Sequence, residues 1–364
     1  MGSGATGTAG APTSPPLTGV EYVVPLKWTA ATDPAEMTAY LRWLADQVDV
    51  TVVDGSARPV WERHHALWAG AVRHVRPAPW PGRNGKVAGV VTGVRLARHE
   101  HVVIADDDVR WSSAGLAAAV AGLAEADLVR PQNYFEPSPW HARWDTSRSL
   151  LNRALHADHP GTYALRRSTF WAMGGYDGDV LFENLELSRT VAAWGGTELS
   201  VPEVLVRRLP PSTRHFWGQR VRQAYDDLAQ PVRLAVESAL LPTTALLLVA
   251  AAGHRPGRRR ARRALVAEVV LPVLLAEIGR RRSGGRSVYP PTAALWTPCW
   301  LAERAVCVWL ALACRATGGV PYAGERLVTA AHSTAALRVR RHHGAGAEPL
   351  TPLSRVPVEP TQLG

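Results

Sequence analysis

The stretch His101–Trp111, HVVIADDDVRW, decides how the chain reads. Three apolar residues, Val102–Ile104, run into Asp106, Asp107 and Asp108, so a buried strand ends in three like charges. Packed carboxylates repel one another, and burying one without a partner is costly. Water or a cation must compensate. Hard cations such as Mg2+ and Mn2+ prefer carboxylate oxygens and complete their shell with substrate phosphates. The plainer alternative is a solvated loop, one Asp of which caps a helix opening at Ser112–Ser113.

The flanking sequence supplies the frame. EYVVPLKW (21–28) reads as a first strand closed by Pro25. A helix follows, with Asp33 as N-cap and Pro34 at the first helical position. VDVTVVDGS (48–56) is a second apolar strand that stops at Asp54-Gly55-Ser56, and NGKVAGVVTGVRLA (84–97) has valines at helical spacing. After the acidic stretch come a helix, SAGLAAAVAGLA, and another strand, ADLVRPQNYF. Strands alternating with helices predict an α/β fold, a mostly parallel sheet flanked by helices. In such sheets ligands bind beyond the carboxyl ends of the strands, where Asp54 and Asp106–Asp108 both fall.

Charge is unevenly placed along the 364 residues. The formal net charge is +10, but residues 1–230 carry −1 and residues 231–364 carry +11. The basic excess lies beside the most apolar segments, which suits an anionic membrane surface and argues against a nucleic-acid partner. Three such segments follow residue 230: LAVESALLPTTALLLVAAAG, ALVAEVVLPVLLAEIG and ALWTPCWLAERAVCVWLALAC. Glu237, Glu268, Glu277, Glu303 and Arg304 interrupt them, and Pro242, Pro272 and Pro298 are expected to kink them. Arg-rich loops are expected at both ends of the second. Kinked, re-entrant or interfacial helices fit this better than simple spans, with a buried helical subdomain as the plain alternative. The three cysteines share one apolar segment and read as small apolar residues. The organisation expected is a flexible tail at 1–18, a catalytic domain at 19–230, a helical membrane-associated region at 231–335, and a disordered basic, Pro-rich tail at 336–364.

In this order and spacing the motifs resemble the family 2 glycosyltransferases of the GT-A fold, in their membrane-associated, ceramide-glucosyltransferase-like branch. VVPLKW resembles the opening strand, VVDGS the nucleotide-binding acid motif, and IADDDVRW the D-x-D motif. GTYALRRSTFWAMGGYDGDVLFENLEL resembles the acceptor-side segment, and FWGQRVRQAYDD the Q-x-x-R-W region. The resemblance implies that Asp54 contacts the nucleotide and that Lys86 stands near it, although a solvated helix lysine is the alternative. It implies that Asp106 and Asp108 hold Mg2+ or Mn2+, with Asp106 also at the substrate. Gln219 and Arg222 match Q-x-x-R, and Arg220 lies beside them; both arginines can equally be surface cations. Gln223 stands where the family has a Trp that stacks the acceptor, which weakens any reading as a polymer synthase.

One departure matters more. Members usually carry Glu-Asp where this chain has Glu183-Asn184, and the Asp is their general base. Asn cannot accept the proton, so the role passes to Glu183 or to Glu186, or is lost. The expected activity is transfer of a sugar from a nucleotide-diphosphate donor, UDP-linked by family habit, to a hydroxyl of a lipid or saccharide acceptor. The reaction would be metal-dependent and inverting, and would run at the cytoplasmic face of the cell membrane. The alternatives are a non-catalytic sugar-nucleotide or lipid-binding relative, favoured by Asn184, and a nucleotidyltransferase. The latter class usually has a Gly-rich basic loop after strand one, absent from VVPLKWTAATDP. His64–His65 and His342–His343 read as surface pairs.

Overall fold

A computed structural model describes residues 16–155, 158–253, 257–322, 324–342 and 350–353. Most of the expected 1–18 tail and most of the 336–364 tail therefore lie outside the described residues. Eight strands form one sheet: β1 (Val20–Leu26), β2 (Asp49–Asp54), β3 (Arg73–Val75), β4 (His101–Ala105), β5 (Val109–Arg110), β6 (Leu128–Phe135), β7 (Thr162–Arg166) and β8 (Glu198–Arg208). Their order is β3-β2-β1-β4-β7-β6-β8-β5. The β3-β2-β1-β4 half is parallel, as is the β6–β8 pair, whereas β7 runs antiparallel to both its neighbours. The expected α/β class, a mostly parallel sheet flanked by helices, is the one found.

The apolar runs follow from burial on both faces. In β4, Val103 and Ala105 join one core with Tyr22, Val24, Val52 and the helix α1 (Ala35–Ala45). Val102 and Ile104 join the other with Val23, Val53 and the valines of α3 (Gly85–Leu96). Between these helices lies α2 (Arg58–Trp68). Pro34, not Asp33, is the N-cap of α1, whose first helical residue is Ala35; the Asp33 carboxylate, one residue earlier, accepts the Ala35 N–H at 3.0 Å. Pro25 does not close β1. The strand runs on to Leu26, because Pro25 and Leu26 pair only with β2, the β4 ladder having ended at Val23–Ile104. A proline is tolerated where no second ladder needs its N–H.

Downstream come α4 (Ser113–Ala121), α5 (Trp140–Leu155), α6 (Arg167–Ala172), α7 (Glu183–Ala193), α8 (Thr213–Gly218), α9 (Arg220–Tyr225), α10 (Pro231–Ala252), α11 (Arg258–Arg281), α12 (Thr297–Ala316) and α13 (Thr334–His342). The Arg258–Arg263 run is not a loop but the first turns of α11, and Arg280 and Arg281 form its last turn. Pro298 does not kink a helix; it sits in the first turn of α12, where its missing N–H costs nothing. Residues 336–342, placed in the tail from sequence, belong to α13, which packs on α7 and buries Leu337. A hairpin of β9 (Val320–Tyr322) and β10 (Glu325–Leu327) precedes it.

Helices α10 and α12 carry charges inward, and all three long helices of the last third turn apolar side chains outward. Glu237, Glu303 and Arg304 point inward, with side chains 6%, 6% and 0% exposed. Arg304 pairs with Asp227 at 3.1 Å, and Glu303 with Arg220 at 3.4 Å. Outward go Val236, Leu246, Val249, Val266, Leu271 and Trp309, all exposed. Pro231–Ala252 and Ala293–Ala316 are long and apolar enough to cross a membrane by length and composition.

Candidate active site

A cleft of about 660 Å3 opens at the carboxyl ends of β1, β2 and β4. The acidic stretch lines it, and the compensating charges are now visible. Lys86, in the first turn of α3, places Nζ 2.5 Å from Asp106 Oδ1 and 2.6 Å from Glu183 Oε1. Arg208, at the end of β8, bridges the outer acids, with Nε 2.7 Å from Asp108 Oδ2 and Nη2 3.3 Å from Asp106 Oδ2. Asp107, which also lines the cleft, accepts from the Trp28 indole. Three like charges at a strand end are thus held by two protein cations and an indole N–H.

Local structure fixes this arrangement. Asn84 caps α3 through the Lys86 N–H and donates its amide to the Val180 carbonyl at 3.0 Å, tying the helix that carries Lys86 to the loop before Glu183. Gly161 accepts the Asp106 N–H at 2.8 Å. A Cβ on Gly161 would stand 2.3 Å from Asp106 Oδ2, so only glycine leaves room for that carboxylate.

Burial alone would lower the Lys86 ammonium, but Asp106 and Glu183 outweigh it and hold the group well above its ordinary value. Burial raises Asp108 to about 6, offset in part by Arg208. Asp108 Oδ1 is buried and has no hydrogen-bond partner. That open oxygen, beside a second carboxylate, is a donor set a hard divalent cation fits. His159, in the same wall, is pushed down to about 3 by burial and by Arg130, so it stands neutral.

The residues expected from sequence separate into two groups. Lys86, Asp106, Asp108, Glu183, Gln219 and Arg222 line the cleft together. Arg222 lies 4.9 Å from the Tyr322 ring centroid, and Gln219 contacts His215. Asn184 also faces the cleft and donates to the Pro160 carbonyl at 3.1 Å. Three residues are not brought there. Arg220 is buried against Asp145 at 3.1 Å and stacks over Phe216, because α9 turns its side chain toward α5 and α12. Glu186 is fully buried, and its carboxylate accepts the His332 N–H at 2.7 Å and faces His332 Nδ1 at 2.9 Å. One helical turn beyond Glu183, it points at the C-terminal segment instead of the cleft.

Asp54 is the third. Its side chain is fully buried and meets His64 Nδ1 at 2.7 Å, His74 Nε2 at 3.2 Å and the Ser56 N–H at 2.8 Å. Burial opposes its ionisation, but these hydrogen bonds outweigh burial and hold the carboxyl at about 2. His64 is therefore not a surface residue; it stacks on Trp68 and serves Asp54, while His65 is exposed as expected. The effect on the cleft is indirect. Asp54 fixes the turn at Gly55-Ser56, Gly55 lines the cleft, and Ser56 Oγ accepts the Trp28 N–H at 2.8 Å.

Sequence reasoning missed Arg208, Arg148, His159 and Asp226, all of which line the cleft. Only Asp226 carried a signal, since it lies in the quoted QAYDD. A side pocket of about 220 Å3 adjoins the cleft across Asp108, Arg148 and Arg208, and extends to Tyr289.

No protein-family model and no curated protein matches the chain. Among solved structures, it is similar to a mannosyltransferase from Pyrobaculum calidifontis in complex with GDP-Man and Mn2+, at 20% identity over 82% of this chain and 90% of that one, TM-score 0.44. It is also similar to glucosyl-3-phosphoglycerate synthase of M. tuberculosis, at 17% identity over 54% and 74% of the two chains, TM-score 0.36. A third likeness is to GalNAc-T7 with UDP, GalNAc and Mn2+, at 16% identity over 52% and 44%, TM-score 0.34.

Proposed function

We propose that the chain is a GT-A glycosyltransferase of the family 2 kind that takes a nucleotide-diphosphate sugar as donor and a lipid or saccharide hydroxyl as acceptor. The observation that carries the reading is the cleft itself. At the carboxyl ends of parallel strands, two carboxylates with one open oxygen share a single volume with Lys86, Arg208 and Arg222. Asp106 and Asp108 would hold Mg2+ or Mn2+, which when bound neutralises diphosphate charge. Lys86, Arg208 and Arg222 would meet the leaving diphosphate; guanidinium and ammonium groups fixed in a dry cleft stabilise such charge as it develops. Glu183 keeps Lys86 aligned against Asp106. Inversion at the sugar carbon belongs to the family resemblance and is part of the proposal.

The place of action would be a membrane surface. Charges facing in and apolar side chains facing out support this, because an apolar face of that extent marks contact with lipid or protein. Arg259, Arg260, Arg262 and Arg263 are exposed at one end of α11, where anionic headgroups would be met.

The test is a thermal-shift screen of UDP- and GDP-sugars with and without Mn2+. A donor present at ~100 Kd raises stability by about 2.7 kcal/mol. Asp108→Asn should abolish the Mn2+-dependent part of that shift. If no nucleotide sugar stabilises the chain, the reading is wrong. A non-catalytic binding relative is the second reading, favoured by Asn184, whose amide is spent on a backbone carbonyl.

A further inference from the structure

We propose that Asp226, which sequence comparison gives no role, takes the proton from the acceptor hydroxyl, with Arg148 beside it in the cleft wall. This rests on the glycosyltransferase reading. The argument is one of availability. Asp106 is committed to Lys86 and Arg208, Asp107 to Trp28, Asp108 to Arg208, and Glu183 to Lys86. Just outside the cleft, Asp145 is committed to Arg220, Asp158 to Ser149 and Asn152, and Asp227 to Arg304. Asp226 is half-buried and lines the same cleft as Glu183 and Asn184, and its carboxylate makes no hydrogen bond or ion pair among the described residues.

Arg148 complements it. This guanidinium lines the cleft and the side pocket, its Nε is buried without a partner, and it too makes no hydrogen bond or ion pair among the described residues. An open carboxylate and an open guanidinium on one wall suit a hydroxyl-bearing acceptor, which donates to the first and accepts from the second.

The step balances within the proposed reaction. The acceptor O–H proton passes to an Asp226 oxygen. The acceptor oxygen forms its bond to the anomeric carbon as the bond from that carbon to the diphosphate oxygen breaks, and the electron pair leaves with the nucleoside diphosphate. Asp226 then returns its proton to solvent through the cleft.

Burial and the Asp227 charge raise Asp226 to about 8, and Arg148 and Arg222 act in the opposite direction. Glu183 on α7 adds to the rise, while Asp158, His159 and Arg233 share the small cavity behind it. A base whose pKa lies near the working pH is the kind that transfers protons well. Because the ionised form is the active one, turnover should increase as pH rises through about 8.

The experiment uses the full chain with Mg2+, a panel of UDP- and GDP-sugars, and water and octyl glucoside as acceptors. Donor binding is read by thermal shift and donor cleavage by nucleotide release. Asp226→Asn should keep the donor shift, lower cleavage by roughly 10²–10⁴-fold and lose the acid limb of the pH profile. Added formate should partly restore cleavage to Asp226→Ala, which a merely structural aspartate would not allow. Should Asp226→Asn fail to fold, Arg148→Gln is read instead, and its acid limb should move to higher pH. Near-parental cleavage by Asp226→Asn, an unmoved limb in Arg148→Gln, or a large loss in Glu183→Gln alone overturns the assignment and leaves the transferase reading intact. A parent that binds donor but cleaves none overturns the assignment in favour of a binding protein. A parent that binds no donor overturns both.

Discussion

Asp54→Asn would test the buried cluster that fixes the Gly55-Ser56 turn. The carboxyl is fully buried, and three hydrogen-bond partners hold it at about 2 where 3.8 is ordinary. A carboxyl depressed in this way stabilises the fold above its unfolded pKa, and the contribution disappears as pH falls through the folded one. A shift of that size is worth about 2.5 kcal/mol. His74 acts at higher pH: burial lowers its pKa below the ordinary 6.5, so protonating it below that pH also costs stability. The Asp54 part falls below about pH 4, and comparison with Asp54→Asn reads it. Urea denaturation of the parent and Asp54→Asn at pH 7, 4 and 2.5 reads this directly. The parent should lose about 1–2 kcal/mol more than the variant between pH 4 and 2.5. Parallel losses over that interval would show that the histidines and Ser56 do not hold the carboxylate ionised, and the account of the turn would fail with it.

Glu186→Gln should cost about 2–4 kcal/mol in denaturant unfolding, because a buried charge bonded to His332 is replaced by an amide; a variant of parental stability that loses turnover would instead place Glu186 at the substrate. Replacing Arg259, Arg260, Arg262 and Arg263 by Gln should weaken sedimentation with anionic vesicles by up to about 1 kcal/mol per residue, and high salt should mimic the change in the parent. Gly279→Ala should cost about 1–3 kcal/mol or more in thermal unfolding, since the new Cβ would stand 1.9 Å from the Leu150 carbonyl oxygen where α11 crosses α5.

In the sheet's parallel half β1, β2 and β4 were legible because they are buried on both faces and announce themselves as apolar runs, β2 and β4 stopping at Asp; β3, only Arg73–Val75 with two polar residues, gave no such run. The other half was harder. β8 includes Pro202 and is mostly half-buried, so neither a continuous run nor a clean alternation marks it. The acids of the cleft were legible as types at a strand end. Their partners were not, because Arg208 meets Asp108 across 100 residues and His332 meets Glu186 across 146. The same limit explains Asp54. A carboxylate after a strand reads as a ligand contact unless one knows that His64 and His74 converge on it. Arg220 and Arg222, two positions apart, looked interchangeable, and only the orientation of α9 sends one to α5 and the other to the cleft.

The return of the last third of the chain onto the sheet bears on how this protein can be handled. A boundary near residue 230 invites expression of a shortened, detergent-free fragment that carries the sheet. Such a fragment would lack Tyr322, whose hydroxyl meets the Asn84 cap of α3 at 2.9 Å, and Glu325, which lines the cleft beside it. It would expose Asp227 without Arg304, Arg220 without Glu303, and Glu186 without His332, three buried charges each stripped of a partner. It would also free the Asn133 carbonyl from Tyr289 at the side pocket. The helices that face outward are therefore not an anchor attached to a self-sufficient sheet domain. They and the segment after them complete its walls, and solubility would be better sought by changing exposed positions such as Leu246 or Leu271 than by cutting the chain.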